Sequence, residues 1–191
     1  MDIKAVLSII GVIVGFVGFA PYLRDTFRGT TKPHFFSWFI WGILETIAFI
    51  AQVHEGAGVG AWVLGASVCI SAIIIWKSFC NKDKSITSLD WFCFSGAFAG
   101  IILWLLTKNP TGAVIIVAAT DAIAFVPTFR KSYNRVNEET LSEYGACIVK
   151  HALGILALES YSLATVFYPV SLVVTNTLFV TMVLVRRYVK K

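Results

Sequence analysis

Residues 19–29 read FAPYLRDTFRG and residues 125–135 read FVPTFRKSYNR. In each stretch a proline closes an apolar run and basic residues follow within a few positions. Pro21 and Pro127 stand 106 positions apart in a chain of 191 residues, and similarity at that interval predicts two copies of one module. What the modules build depends on the solvent around them.

Hydrophobic residues make up 57% of the chain and charged residues 14%, with a mean hydropathy of +0.77. Soluble domains carry about 25% charged residues, so the composition points to a membrane protein. At about 1.5 Å per residue, a helix needs about 20 apolar residues to cross a hydrocarbon core of about 30 Å. Seven stretches qualify: Ile3–Ala20, Phe35–Val53, Val59–Phe79, Trp91–Thr107, Thr111–Pro127, Leu141–Leu158 and Leu163–Val185. The sixth is the poorest, because Glu143, Lys150 and His151 interrupt it, and a central charge costs about 2.5 to 3.5 kcal/mol on insertion scales. The first lacks a basic leader and a small-residue cleavage site, so it reads as a retained helix rather than a signal peptide. Its Gly11, Gly15 and Gly18 suit close helix approach.

Orientation follows from the 16 basic residues. With seven crossings, 13 of them gather on one side: Arg24, Arg28 and Lys32; Lys77, Lys82 and Lys84; Arg130, Lys131 and Arg135; Arg186, Arg187, Lys190 and Lys191. Lys4 and Lys108 fall on the other side and Lys150 inside the sixth span. The positive-inside rule then sets the N-terminus outside and the C-terminus in the cytoplasm, and the plasma (inner) membrane is the expected location. Phe35, Phe36, Trp38, Trp76 and Trp91 are expected as anchors at the inner interface, and Trp62, Trp104, Tyr161 and Tyr168 at the outer one. The net charge of +5 belongs to the cytoplasmic face of a bilayer protein and requires no nucleic acid.

Pro21 and Pro127 are expected to end the first and fifth helices on the cytoplasmic side. Each removes a helical partner from the carbonyl four residues earlier, at Val17 and Ile123, and so offers a place to bend. Two three-helix units separated by a single helix have the same orientation in the membrane. The expected fold is therefore all-α, with seven transmembrane helices forming two parallel three-helix bundles. Residues 1–79 make the first, 80–110 a linker with the fourth helix, and 111–191 the second, all within one integral-membrane domain.

This layout, with a proline-centred cytoplasmic turn in each unit, resembles the PQ-loop/SWEET transporter superfamily, although Pro21-Tyr22 and Pro127-Thr128 stand where that superfamily has Pro-Gln. The resemblance implies alternating access with Pro21 and Pro127 as hinges, and a central pocket to which Asn176 contributes. The third helix, with Ser67, Cys69 and Ser71, offers no matching asparagine.

Polar residues within the spans indicate where a solute would bind. Glu45, Asp121, Lys150, His151 and Asn176 all fall roughly 9 to 15 Å from the inner boundary by helical rise, the depth at which secondary transporters place substrate and coupling ions. Glu45 and His151 are 106 positions apart, which makes them candidates for proton exchange across the axis between the units. Trp41, Glu45 and Gln52 share a face of the second helix and are expected to line the pocket. The alternative is structural: Asp121 with Lys150 as a buried ion pair, and Glu45 with His151 as a second contact.

The expected function is a small-solute membrane transporter, with proton coupling and self-association left open and the substrate a sugar, amino acid or vitamin precursor. A binding or sorting receptor of the same fold without net transport is the alternative, and a membrane enzyme comes last, since three tight inner loops leave little room for catalytic machinery; no nucleophile elbow, phosphate loop or zinc motif is present. A retinal protein is set aside because the seventh span has no lysine. Cys69, Cys80, Cys93 and Cys147 lack metal-like spacing, and neither a cofactor nor a metal is expected.

Overall fold

In a computed structural model of the chain, residues 2–80, 86–106 and 110–189 are described, without the side chains of residues 100, 104 and 110–113. The expectations for Lys82, Lys84, Trp104, Lys108, Lys190 and Lys191 lie outside the described residues.

Among the described residues the protein is all-helical, with α1 (Ile3–Arg28), α2 (Phe35–His54), α3 (Ala61–Cys80), α4 (Ser88–Leu106), α5 (Pro110–Asn134), α6 (Ser142–Ala157) and α7 (Leu163–Val189). A short 3-10 turn at Gly58–Gly60 leads into α3. Four segments are long and apolar enough to cross a membrane: Ile3–Arg28, Phe35–His54, Gly58–Cys80 and Leu163–Val189. The distribution of side chains agrees with a membrane protein. Ile13, Val17, Ile50, Leu105 and Leu178 point outward while Glu45, Asp121, Lys150 and Asn176 are buried, the reverse of what water around the bundle would favour.

The limits of α1 follow from its ends. The Asp2 carboxylate accepts from the Lys4 amide at 3.3 Å, and Gly29 closes the helix with a left-handed φ of 76° that a side chain would strain. Within α1, buried Ser8, Gly11, Gly15, Phe19, Tyr22 and Thr26 recur every three or four residues, giving one inward stripe. That stripe rests on α6, the most extensive helix pairing in the fold. The glycines permit the approach: a Cβ at Gly11 would stand 3.2 Å from the Lys150 carbonyl oxygen, and one at Gly18 only 2.0 Å from the Ala146 Cβ.

α3 packs on both α1 and α2, and α7 packs on both α5 and α6. α2 lies against α5, and α4 covers α5 with a smaller contact to α2. A cluster of apolar and aromatic side chains from all seven helices fills the middle, with Tyr22, Ile40, Leu44, Ile74, Tyr168 and Phe179 essentially inaccessible.

The prolines do not end their helices. α1 continues from Pro21 to Arg28 and α5 from Pro127 to Asn134, so each runs a further seven residues with the proline inside. The physical reason is that a proline withdraws one N–H and crowds one carbonyl but leaves later amides free to resume the helical pattern. In both helices the turns beyond the proline are held by side chains, Tyr22 on Glu139 at 2.8 Å and Lys131 on the same carboxylate.

Three expected interfacial anchors are also corrected. Phe36 is 7% exposed, Trp38 4% and Tyr168 2%: all three turn inward, Phe36 and Trp38 into aromatic packing with Phe94 and Trp41, and Tyr168 to a hydrogen bond with Asp121. Trp62, Trp76, Trp91 and Tyr161 are exposed, as an interfacial residue should be.

Candidate functional site

A cavity lies between α2, α3, α5, α6 and α7. α2 contributes Trp38, Trp41 and Glu45, one helical turn apart in succession, so one face of α2 looks into it. Ser67, Ile70 and Ser71 enter from α3, Asp121 and Phe125 from α5, and Leu172 and Asn176 from α7. α6 adds Glu143, Tyr144, Cys147 and Lys150, again at spacings of three and four.

The polar groups are sparsely bonded. Ser71 Oγ donates to Glu45 Oε2 at 2.5 Å, and the Tyr168 hydroxyl donates to Asp121 Oδ1 at 3.2 Å. Lys150 Nζ pairs with Glu143 Oε1 at 3.1 Å. Asn176 Nδ2 donates to the Leu172 carbonyl at 2.8 Å, back-bonding to its own helix. Trp38 Nε1, Trp41 Nε1 and Glu143 Oε2 are buried and have no hydrogen-bond partner among the described residues. Two unmet donors and an unmet acceptor in one cavity are costly in an apolar surround, and a polar occupant would offer them partners. The wall between them is aromatic: Trp38 meets Trp41 edge-on at 5.3 Å, and Trp41 meets Phe125 edge-on at 4.7 Å.

The structure thus brings Trp41, Glu45, Asp121, Lys150 and Asn176 together around one space. His151 is left out. It is buried at 1% exposure, with Nε2 lacking a partner among the described residues, but it is not in the cavity wall, because one step along α6 from Lys150 turns a side chain about 100°. Glu45 meets Ser71, so the expected Glu45–His151 contact is replaced. Gln52 is also elsewhere: its Nε2 donates to the Thr165 carbonyl at 2.8 Å and ties α2 to the start of α7. The suggested pairing of Asp121 with Lys150 is corrected too, since Glu143, two helical turns from Lys150 on the same helix, takes the ammonium instead.

Glu143, Tyr144, Ser71 and Tyr168 were not anticipated as site residues. For Glu143 the signal existed, as its interval of seven from Lys150 puts both on one helix face. For Tyr168 there was none, since its partner Asp121 is 47 positions away.

One end of the cavity meets a second polar cluster, at the end of the bundle where Arg24, Lys32, Lys131 and Arg187 lie. Tyr22 and Tyr144 both donate to Glu139 Oε1, at 2.8 and 2.9 Å, while Lys131 pairs with Glu139 Oε2 and also reaches the Lys32 carbonyl. Arg187 donates to the carbonyls of Glu139 and Val136 at 2.6 and 2.9 Å. Thr140 bridges to Asp25 at 2.8 Å and to the Thr31 hydroxyl. Tyr144 belongs to both sites, its ring in the cavity wall and its hydroxyl on Glu139. Among the described residues no group of acidic, histidine and cysteine side chains is arranged to hold a metal ion. Compared with protein families, curated proteins and solved structures, the chain matches none.

Proposed function

We propose that the chain is a small-solute carrier of the membrane that works by alternating access, with all seven helices crossing the bilayer as two like-oriented three-helix units around α4. In this reading the N-terminus is outside, the C-terminus is cytoplasmic, the membrane is the plasma membrane, and the resemblance to PQ-loop/SWEET transporters reflects a shared plan. The observation that carries it is the cavity: charged and aromatic side chains inside an apolar bundle, with Tyr144 of the wall bonded to Glu139, the carboxylate that Tyr22 and Lys131, from just beyond two helix-interior prolines, also hold.

Three further features support the two-unit plan. Moved by the interval between Pro21 and Pro127, the bounds of α1, α2 and α3 fall within a few residues of those of α5, α6 and α7. The third helix of each set lies between the other two. Three pairs at the same interval, Trp38 with Tyr144, Trp41 with Cys147 and Ile70 with Asn176, all line the cavity, in keeping with an axis that passes near it. Flexing at Pro21 and Pro127 would withdraw Tyr22 and Lys131 from Glu139 and open the cavity toward the basic end.

Reconstitution into proteoliposomes tests this. Uptake or exchange of a small polar solute, reduced by Glu45→Gln or Asp121→Asn with thermal stability retained, is the expected result. Saturable binding without flux would assign the receptor reading instead. Flux that responds to an imposed pH gradient would add proton coupling.

A further inference from the structure

We infer that the cavity selects a small organic cation, an amine or ammonium group joined to a flat or apolar portion, over neutral, zwitterionic and anionic solutes of the same size. The inference deepens the carrier reading and rests on it for its physiological sense.

The argument begins with charge. Three carboxyl groups, Glu45, Asp121 and Glu143, face the cavity, against one ammonium, that of Lys150. Lys150 is committed to Glu143 at 3.1 Å within a pair that is almost wholly buried. Glu45 and Asp121 then have only hydroxyl partners, from Ser71 and Tyr168, and no Lys, Arg or His among the described residues forms an ion pair with either. Hydroxyl donors do not neutralise a carboxylate in a poorly solvated space. A cationic guest does. An anion would meet two carboxyls held only by hydroxyls and would have to take Lys150 from Glu143.

The second observation is independent of the acidic cluster. Trp41 is 8% exposed, and its Nε1–H has no acceptor among the described residues. The second oxygen of Glu143, itself 4% exposed, has no donor. The guest therefore needs positive or N–H character for the carboxyls, an acceptor atom or water for the indole, and a surface that tolerates aromatic walls. Trp41 and Phe125 stand edge to face at 4.7 Å, and Phe125 and Tyr144 lie nearly parallel at 6.1 Å. Such faces attract ammonium groups through the ring quadrupole and stack on flat rings. Lys150, already paired, leaves little for a guest carboxylate, which argues against an ordinary zwitterionic amino acid.

The test uses one skeleton with four charges: 2-phenylethylamine, 2-phenylethanol, phenylalanine and 3-phenylpropionate. Binding to the full chain in detergent is followed by tryptophan fluorescence and by calorimetry. Saturable binding is expected for the amine, weaker binding for the alcohol and zwitterion, and none for the acid. Glu45→Gln with Asp121→Asn should weaken the amine at least about tenfold, the scale of losing hydrogen bonds to charged groups, and leave the alcohol nearly unchanged. Because the double variant could lose its fold, each single variant is measured with its thermal midpoint. Equal loss for amine and alcohol, or preference for the acid or zwitterion, overturns the inference. So does absence of saturable amine binding. Transport of a neutral or anionic solute that the amine fails to inhibit would overturn cation selection and leave carriage standing. Saturable amine binding with no flux of any solute would do the opposite.

Discussion

The Lys32 amide donates to the Glu138 carbonyl at 3.2 Å, and the two side chains pair at 3.4 Å. These residues are 106 positions apart, the interval that separates Pro21 from Pro127. Under two-fold symmetry a residue that touches its own counterpart lies on the axis, so in the two-unit plan this contact marks where the axis leaves the basic end. Cysteines at both positions, in a chain whose four native cysteines are replaced, are expected to form a disulfide under mild oxidation. Flux should stop on oxidation and return on reduction. Efficient cross-linking with undiminished flux would mean that this end does not open.

Glu139 joins three partners from three helices: Tyr22 of α1, Lys131 of α5 and Tyr144 of α6. Lys131 and Glu139 are 4% and 1% exposed at the side chain, so deleting one leaves the other charge buried alone. Glu139→Ala is expected to destabilise the fold by about 3 to 5 kcal/mol. Glu139→Gln, which keeps acceptors for the phenols, should cost less. Thermal unfolding in detergent gives the order, and labelling of a cysteine placed at Tyr144 from the basic side should rise in both variants.

Much of this architecture was legible in the sequence because it is periodic or compositional. Apolar runs gave the helices, and the repeated proline gave the interval at which Lys32 meets Glu138. Helical spacing placed Trp41 and Glu45 on one face, and the structure keeps them in one wall. It also carried Gln52 to that face, and there it failed, since a side chain near the end of α2 is within reach of the Thr165 carbonyl. His151 misled for a related reason: depth along a helix says nothing about azimuth, and Lys150 and His151 share a depth while only one enters the cavity. The cluster around Glu139 depends on loops that bring residues 117 positions apart into contact. No local pattern encodes such a meeting.

Two glycines separate packing from propensity. A Cβ at Gly18 would lie 2.0 Å from Ala146 Cβ and 3.0 Å from the Ser142 carbonyl oxygen, whereas one at Gly145 meets nothing within 4 Å. Gly18→Ala should push α1 from α6 and cost about 1 to 3 kcal/mol, the range for overpacking. Gly145→Ala should be neutral or stabilising by up to about 1 kcal/mol, since alanine favours the helix. Matching thermal midpoints for the two variants would contradict the close α1–α6 contact.

His34, in the loop before α2, gives a stability term with a defined sign. Burial lowers its pKa below the ordinary value; Asp90, 3.4 Å away, works against this, and Lys131 and Arg130 add to the lowering. A histidine whose folded pKa is depressed stabilises the fold above its unfolded pKa of about 6.5, and that stability is lost as pH falls toward the folded value, because the unfolded chain takes the proton first. The thermal midpoint of the native chain should therefore fall more steeply below about pH 6.5 than that of His34→Gln. Parallel curves would show that His34 does not titrate differently on folding.

Pro21 and Pro127 give the sharpest separation of stability from turnover. Since both helices continue seven residues past the proline, alanine at either place restores an N–H to the carbonyl of Val17 or Ile123 without needing a new path for the chain. Proline in a helix interior is about 3 kcal/mol less favourable than alanine, so Pro21→Ala and Pro127→Ala should hold or raise the thermal midpoint. If the bend is what lets Tyr22 and Lys131 leave Glu139, the same substitutions should slow flux severalfold, and together more than singly. Binding in the cavity should change little, because neither proline lines it. A more stable protein that moves solute as fast as the native chain would show that the prolines are tolerated rather than used, and would transfer the opening motion to another part of the bundle.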